Sequence, residues 1–118
     1  MSKKPELPGT IAAFVKAVNE HNTDDFLAVF ADTAVIFDEG HEYRGITAIR
    51  EWNAEKNIGA KITLDPVEAT ERNGSIVLTA AVDGDFDKTG LPDPFLMDLH
   101  FTLDQDMITS LKYSLAGE

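Results

Sequence analysis

Apolar residues near the start of the chain recur with helical spacing. Four of them follow the i, i+3, i+4, i+7 pattern of one buried stripe: Ile11, Phe14, Val15 and Val18. This stripe predicts a first helix that begins near residues 8–10 and ends around His21. A second, shorter helix follows, for which Thr23 is the predicted N-cap and Phe26, Leu27 and Phe30 form the buried side.

The middle of the chain changes pattern twice. The run AVIFD, residues 34–38, predicts a short strand that ends in two carboxylates and a glycine. After the segment EYRG, the apolar residues Ile46, Ile49 and Trp52 return to helical spacing. They predict a third helix that ends before Gly59.

From Lys61 onward the hydrophobic period is two, which is typical of strands. Residues 61–72 and 75–86 flank an Asn73-Gly74 pair and predict a hairpin, with Pro66 indicating an edge strand or a bulge. The run PFLMDLHFTL puts its large apolar residues on one face, and MITSLKYSL returns after a DQD turn. Three helices followed by a long meander predict an α+β fold, with the helices packed on one face of a curved, mostly antiparallel sheet.

Length and composition limit the classes of protein that fit. The chain has 118 residues, 43% hydrophobic and 26% charged, so we expect one globular domain over residues 1–118. No apolar run reaches the length of a membrane span, and the start MSKKPELPG lacks the apolar core of a signal peptide. We therefore expect a cytoplasmic protein that does not enter a membrane.

The charge and the rare residue types exclude further classes. The formal net charge of −11 repels a phosphate backbone, so nucleic acid is not an expected partner. The absence of cysteine excludes disulfides and thiolate chemistry. The acidic run DGDFDKTG, residues 83–90, departs from the calcium-loop template at Lys88 and Pro94, and no histidine pair has metal-ligand spacing, so we expect no metal site.

The stretch FLAVFADTAVIFDEGHEYRGITAIREW, residues 26–52, together with LDQDMI at 103–108, resembles the nuclear transport factor 2-like superfamily. Ketosteroid isomerases and SnoaL-like polyketide cyclases share that cone-shaped α+β fold. The resemblance runs over nearly the whole chain and implies a homodimer with a pocket for a hydrophobic small molecule and chemistry without a cofactor. Asp106 departs from the family pattern, which has glycine there.

In this alignment Asp38 falls where ketosteroid isomerases carry the aspartate that abstracts a proton beside a carbonyl. The two hydrogen-bond donors that hold the enolate oxygen in those enzymes align with Phe14 and Leu99, which cannot donate. The acid/base aspartate of the cyclases would fall near residues 114–115 and is also absent. The familiar steroid isomerisation is therefore not expected.

The same alignment implies one pocket around Asp38, and because His41 follows three residues later, we expect it at the mouth of that pocket as a proton partner. The implied wall consists of Phe14, Trp52, Met97, Leu99, Phe101, Leu111 and Tyr113. Burial raises the pKa of a carboxylate. A general base works best when its pKa lies near the working pH, so a buried position suits a base that acts near neutral pH. Two interpretations stay open: an acid/base enzyme of the isomerase, cyclase or hydratase type, and a non-catalytic ligand-binding or dimerisation module in which Asp38 only ends a strand.

Overall fold

The computed structural model describes residues 7–72, 75–87, 89–92 and 94–116. Its helices are α1 (Gly9–Glu20), α2 (Thr23–Ala28) and α3 (Ile46–Trp52), the last continued by a π-helical segment, Asn53–Ile58. The third helical stretch therefore ends before Gly59, as the spacing predicted, but its last part is wound more widely than an α-helix. The predicted cap of α2 is wrong by one residue, because it is the Asn22 side chain that accepts the N–H of Asp25.

Six strands follow the order β2-β1-β6-β5-β4-β3 in a single sheet. Their bounds are β1 (Phe30–Asp38), β2 (His41–Arg44), β3 (Thr63–Arg72), β4 (Ser75–Asp83), β5 (Leu96–Asp104) and β6 (Met107–Leu115). All neighbours are antiparallel except β1 and β6, which run parallel. The α+β fold with a curved, mostly antiparallel sheet is thus confirmed.

The hairpin between β1 and β2 accounts for the carboxylates and the glycine that interrupt the apolar run of residues 34–37. Asp38 pairs with His41 across the strands, and Glu39 and Gly40 between them have φ values of 52° and 78°. Positive φ at both central residues is the geometry of a tight two-residue hairpin, which glycine adopts without strain. The sequence did not predict β2, because its four residues carry no alternating apolar pattern.

Helix α1 covers the middle of the inner sheet face. The ring of Phe14 lies 5.0 Å from that of Phe101 on β5, in an edge-to-face arrangement. Asn19 joins α1 to the edge of the sheet, because its side chain donates to the carbonyl of Leu64 at 3.0 Å and accepts the Leu64 N–H at 2.7 Å. These contacts seal one part of the sheet and leave its other end open.

Strand β3 has both features that Pro66 predicted. It lies at an edge of the sheet, and its register with β4 shifts between Pro66 and Glu68. A proline has no N–H to donate, so edges and bulges are where a strand tolerates it. The strands pair as the predicted hairpin, while the Asn73-Gly74 turn lies outside the described residues.

Candidate functional site

A cavity of about 710 Å³ opens at the end of the sheet that α1 does not cover. Its walls are the end of β1, the π-helical segment, the first residues of β3, the β4–β5 connection and the last residues of β6. The apolar part of the wall includes Trp52, Ile62, Leu64, Val82, Phe86, Leu91, Phe95, Met97 and Tyr113. A cavity of this volume with an apolar lining fits a small organic molecule.

Asp38 lies in the wall of this cavity. Strand alternation places it on the inner side with Ala34 and Ile36, both fully buried. The indole N–H of Trp52 donates to one oxygen of the carboxylate, with 3.1 Å between Nε1 and Oδ2. Because Trp52 is only 3% exposed, the carboxylate is held in one orientation by a rigid, buried donor.

Tyr113 lies next to this pair, with its ring centre 5.5 Å from that of Trp52. The pKa of the Tyr113 phenol is raised above its usual range, mainly by burial and secondly by the negative charge of Asp38. The phenol therefore stays protonated at neutral pH and can donate a hydrogen bond. Asp38 and Tyr113 together offer an acceptor and a donor to one ligand.

The π-helical segment places two amides in the interior. Asn53 and Asn57 are 2% and 4% exposed, and the Asn57 Nδ2 group donates to the Asn53 Oδ1 atom at 2.9 Å. The wide turn changes the direction of the side chains after Trp52, so that Asn57 contributes to the cavity wall. Single turns of this kind are frequent at functional sites.

The connection between β4 and β5 closes the cavity on the far side. The N–H of Asp85 donates to the carbonyl of Ala60 at 2.6 Å, which ties the connection to the end of the π-helical segment. Phe86 and Phe95 stand at its two ends with their ring centres 6.1 Å apart, and both line the cavity. Among the described residues, no group of three or more histidine, aspartate or glutamate side chains is placed to hold a metal ion.

The structure brings together four of the residues that the alignment placed in the pocket. Asp38, Trp52, Met97 and Tyr113 all line the cavity. The other four differ from the expectation and lie at 0–1% exposure in the hydrophobic core: Phe14, Leu99, Phe101 and Leu111. Leu99, Phe101 and Leu111 are on the inner face of the sheet, as alternation predicted, and the ring of Phe14 on α1 packs against Phe101 there.

His41 is exposed at the start of β2 and is not among the residues that line the cavity. Its ring centre is 6.4 Å from that of Tyr43, two residues along β2. Since β2 is the outermost strand on that side, a side chain at its first residue can share the face of Asp38 and still lie outside the cavity wall.

The sequence interpretation missed the contributions of the π-helical segment and of the β4–β5 connection. Asn57 carried no signal in the pattern, because a polar residue near a helix end is ordinarily exposed. Phe86, Leu91 and Phe95 are apolar residues in a loop rich in aspartate, glycine and proline. Isolated large apolar residues in such a loop were the signal that could have placed it over a cavity.

Comparison with known proteins agrees with this architecture. Residues 11–111 match the model of the SnoaL-like domain family. A candidate polyketide cyclase from Sinorhizobium meliloti is 27% identical, with a TM-score of 0.83 over 92% of this chain and 95% of that one. No curated protein matches.

Two further solved structures share the fold at lower identity. A ketosteroid isomerase-like protein from Catenulispora acidiphila, solved with trimethylamine, is 19% identical with a TM-score of 0.78 over 95% of this chain and 88% of that one. An epoxide hydrolase/cyclase-like enzyme of pyran ring formation in salinomycin is 21% identical with a TM-score of 0.74 over 92% and 88%.

The fold places the chain among the proteins with the nuclear transport factor 2-like architecture. Within that class, the chain belongs to the SnoaL-like domain family. No helix in the part of the chain that the structure describes is long and apolar enough to cross a membrane.

Proposed function

We propose that this protein is a cofactor-independent acid/base enzyme of the isomerase, cyclase or hydratase type that acts on a largely apolar small molecule. The observation that carries the proposal is the Asp38 carboxylate, which lies in an apolar cavity and is oriented by the Trp52 indole. A carboxylate fixed within reach of a bound ligand is the arrangement that proton transfer requires.

Tyr113 supplies the second group that such chemistry needs. When Asp38 removes a proton beside a carbonyl, negative charge develops on the carbonyl oxygen, and a neutral phenol that donates a hydrogen bond stabilises it. This role replaces the two donors that the ketosteroid isomerases place at the positions of Phe14 and Leu99. His41, the cross-strand neighbour of Asp38, is the group that we propose to exchange the proton with solvent.

The rival function is a non-catalytic ligand-binding or dimerisation module. It is favoured by one specific observation: Phe14 and Leu99 fill the family's polar catalytic positions with buried hydrocarbon. In that case Asp38 positions a ligand through a hydrogen bond and transfers no proton.

The test compares the protein with the variant Asp38→Asn. Ligands that carry a ketone are screened by thermal shift, and the best one is followed by NMR for exchange of its α-protons with deuterium from the solvent. An amide cannot accept a proton at neutral pH, so we expect the exchange rate to fall about 10²–10⁴-fold in Asp38→Asn with little change in thermal stability. Asp32→Asn is the matched control, because Asp32 is an exposed carboxylate on the same strand and lies away from the cavity.

Two outcomes would decide against the proposal. Exchange at an unchanged rate in Asp38→Asn would exclude Asp38 as the base. Binding without exchange in either form would favour the rival module.

A further inference from the structure

The rim of the cavity is acidic. Four lining residues are exposed, and three of them are carboxylates: Glu39, Glu55 and Asp87, with Leu115 as the fourth. Lys56 is the single cationic side chain among the described residues that line the cavity. Charges of one sign at the mouth of a low-dielectric cleft concentrate ligands of the opposite sign.

No ion pair among the described residues neutralises a rim carboxylate. Within the described residues, the ion pairs join Arg44 with Glu42 and Lys61 with Asp85, and none involves the rim. The pKa of Asp87 is lowered by hydrogen bonds from Thr89, the backbone N–H first and the hydroxyl second. Asp87 is therefore held in its charged form.

The interior adds an acceptor that lacks a donor. The Asn57 side chain uses its Nδ2 group to reach Asn53, and no donor among the described residues reaches Asn57 Oδ1. No side-chain nitrogen or oxygen of the described residues is both sealed from solvent and unpaired, so this oxygen keeps some exposure, and Asn57 lines the cavity. A buried residue that presents a free carbonyl oxygen to a cavity is suited to accept an N–H or O–H group of a ligand.

Aromatic rings complete the lining. Trp52 and Tyr113 form a pair on one side, and Phe86 and Phe95 form a pair on the other. Aromatic faces attract organic cations, most strongly where water is excluded. Carboxylates, a free carbonyl oxygen and aromatic rings are all groups that favour a cation.

We propose that the cavity selects an apolar ligand that carries a protonated amine. The ammonium group lies where the acidic rim meets the wall that Asn57 lines, with its N–H groups available to Asn57 Oδ1, while the apolar body packs on the aromatic and aliphatic wall towards Asp38. A ligand anion is disfavoured by the rim and by the net charge of −11. The inference rests on the proposed function only in that both require a ligand in this cavity.

The test uses three probes with one naphthalene body: naphthalen-2-ylmethylamine, naphthalen-2-ylmethanol and 2-naphthoate. Their affinities for the full chain are measured by titration calorimetry at pH 7 and low salt. We expect the amine to bind roughly tenfold tighter than the alcohol and the carboxylate to bind weakest. The reason is that each of the three screened rim carboxylates adds a small amount to the binding free energy of a cation.

Charge variants show whether the rim is the source of the preference. The triple variant Glu39→Gln, Glu55→Gln, Asp87→Asn should lose most of the preference for the amine over the alcohol, and Lys56→Gln should increase it. The matched control is Glu20→Gln, Glu68→Gln, Glu71→Gln, which removes the same charge from exposed positions that do not line the cavity. It should leave the preference nearly unchanged.

The outcomes separate this inference from the proposed function. Equal affinity for the amine and the alcohol, or tighter binding of the carboxylate, overturns the choice of a cation and leaves a ligand cavity intact. A preference lost equally in the rim variant and the control would attribute it to net charge and also overturn the inference. If none of the three probes binds to folded protein, both the inference and the cavity binding behind the proposed function fail.

Discussion

The contact between Trp52 and Asp38 is the residue-level feature on which the site depends. An indole N–H that donates to a carboxylate fixes its direction. Trp52 in turn is fixed by its packing between Phe26 and Tyr113, whose ring centres lie 6.2 Å and 5.5 Å from its own. Asp38 is thereby connected to the core through a single buried side chain.

A double-mutant cycle measures this connection. We expect Trp52→Phe and Asp38→Ala to show a coupling energy of about 1.5–3 kcal/mol in urea unfolding, because a hydrogen bond to a charged group contributes roughly that amount. The measurement is the free energy of unfolding of the protein, both single variants and the double variant.

The control for that cycle pairs Asp38→Ala with Tyr43→Phe. Tyr43 lies near Trp52, with 6.5 Å between ring centres, but makes no hydrogen bond to Asp38 among the described contacts. Its coupling should be close to zero. A Trp52–Asp38 coupling no larger than the control would contradict the assigned role of the indole.

At the scale of elements, the cavity depends on how the β4–β5 connection leaves β4. Gly84 has a φ of 154°, and a Cβ built on it would come within 2.6 Å of the Ala60 carbonyl oxygen and 2.9 Å of Ile62 Cδ1. The next residue donates its N–H to that same carbonyl. Only glycine allows the connection to approach the end of the π-helical segment so closely.

Gly84→Ala should therefore destabilise the protein and weaken ligand binding together. We expect a loss of roughly 1–3 kcal/mol in the free energy of unfolding, because the backbone conformation and the close contact both oppose a side chain. Thermal unfolding and titration with the naphthalene amine provide the two readouts. Gly9→Ala is the control, since a methyl group added there would meet nothing within 4 Å and alanine favours a helix. Equal stability of the two variants would contradict the close approach at Gly84.

The sequence predicted the elements better than it predicted the cavity, for a physical reason. Alternation shows which face of β5 points inward, so it correctly placed Met97 and Leu99 together. It does not show how far along the strand a helix covers that face. Leu99 is fully buried in the core and Met97 lines the cavity, and only the tertiary packing separates core from cavity wall.

The β4–β5 connection and the β1–β2 hairpin show the same limit of prediction from sequence. Asp38 was found because its residue type interrupts an apolar strand at a position that the family resemblance marks. Phe86 was not found, because the fold of an irregular connection is set by contacts such as the one at Gly84 and leaves no period in the sequence.

At the scale of the whole molecule, the feature that matters is the polar outer face of the sheet. It carries half-buried polar residues that bond across the strands: Thr79 donates to Asp98, and His100 lies 3.0 Å from the Ser114 hydroxyl. Polar groups that satisfy one another in this way can be covered by a second copy of the chain at little desolvation cost. The resemblance to the superfamily implies such a homodimer.

We therefore expect sedimentation equilibrium at micromolar concentration to give twice the chain mass of 12.9 kDa. Val77→Asp, in the outer face where β4 pairs with β5 at His100, should shift the mass towards one chain, because it would bury a new negative charge in the interface. Val67→Asp is the control: Val67 is 50% exposed on the edge strand, and the same charge there should leave the dimer intact.

Each chain carries a net charge of −11, so raising the salt from about 0.05 M to about 0.5 M should screen the repulsion and strengthen the dimer. A mass of one chain at both salt concentrations would show that the outer face is a solvent surface.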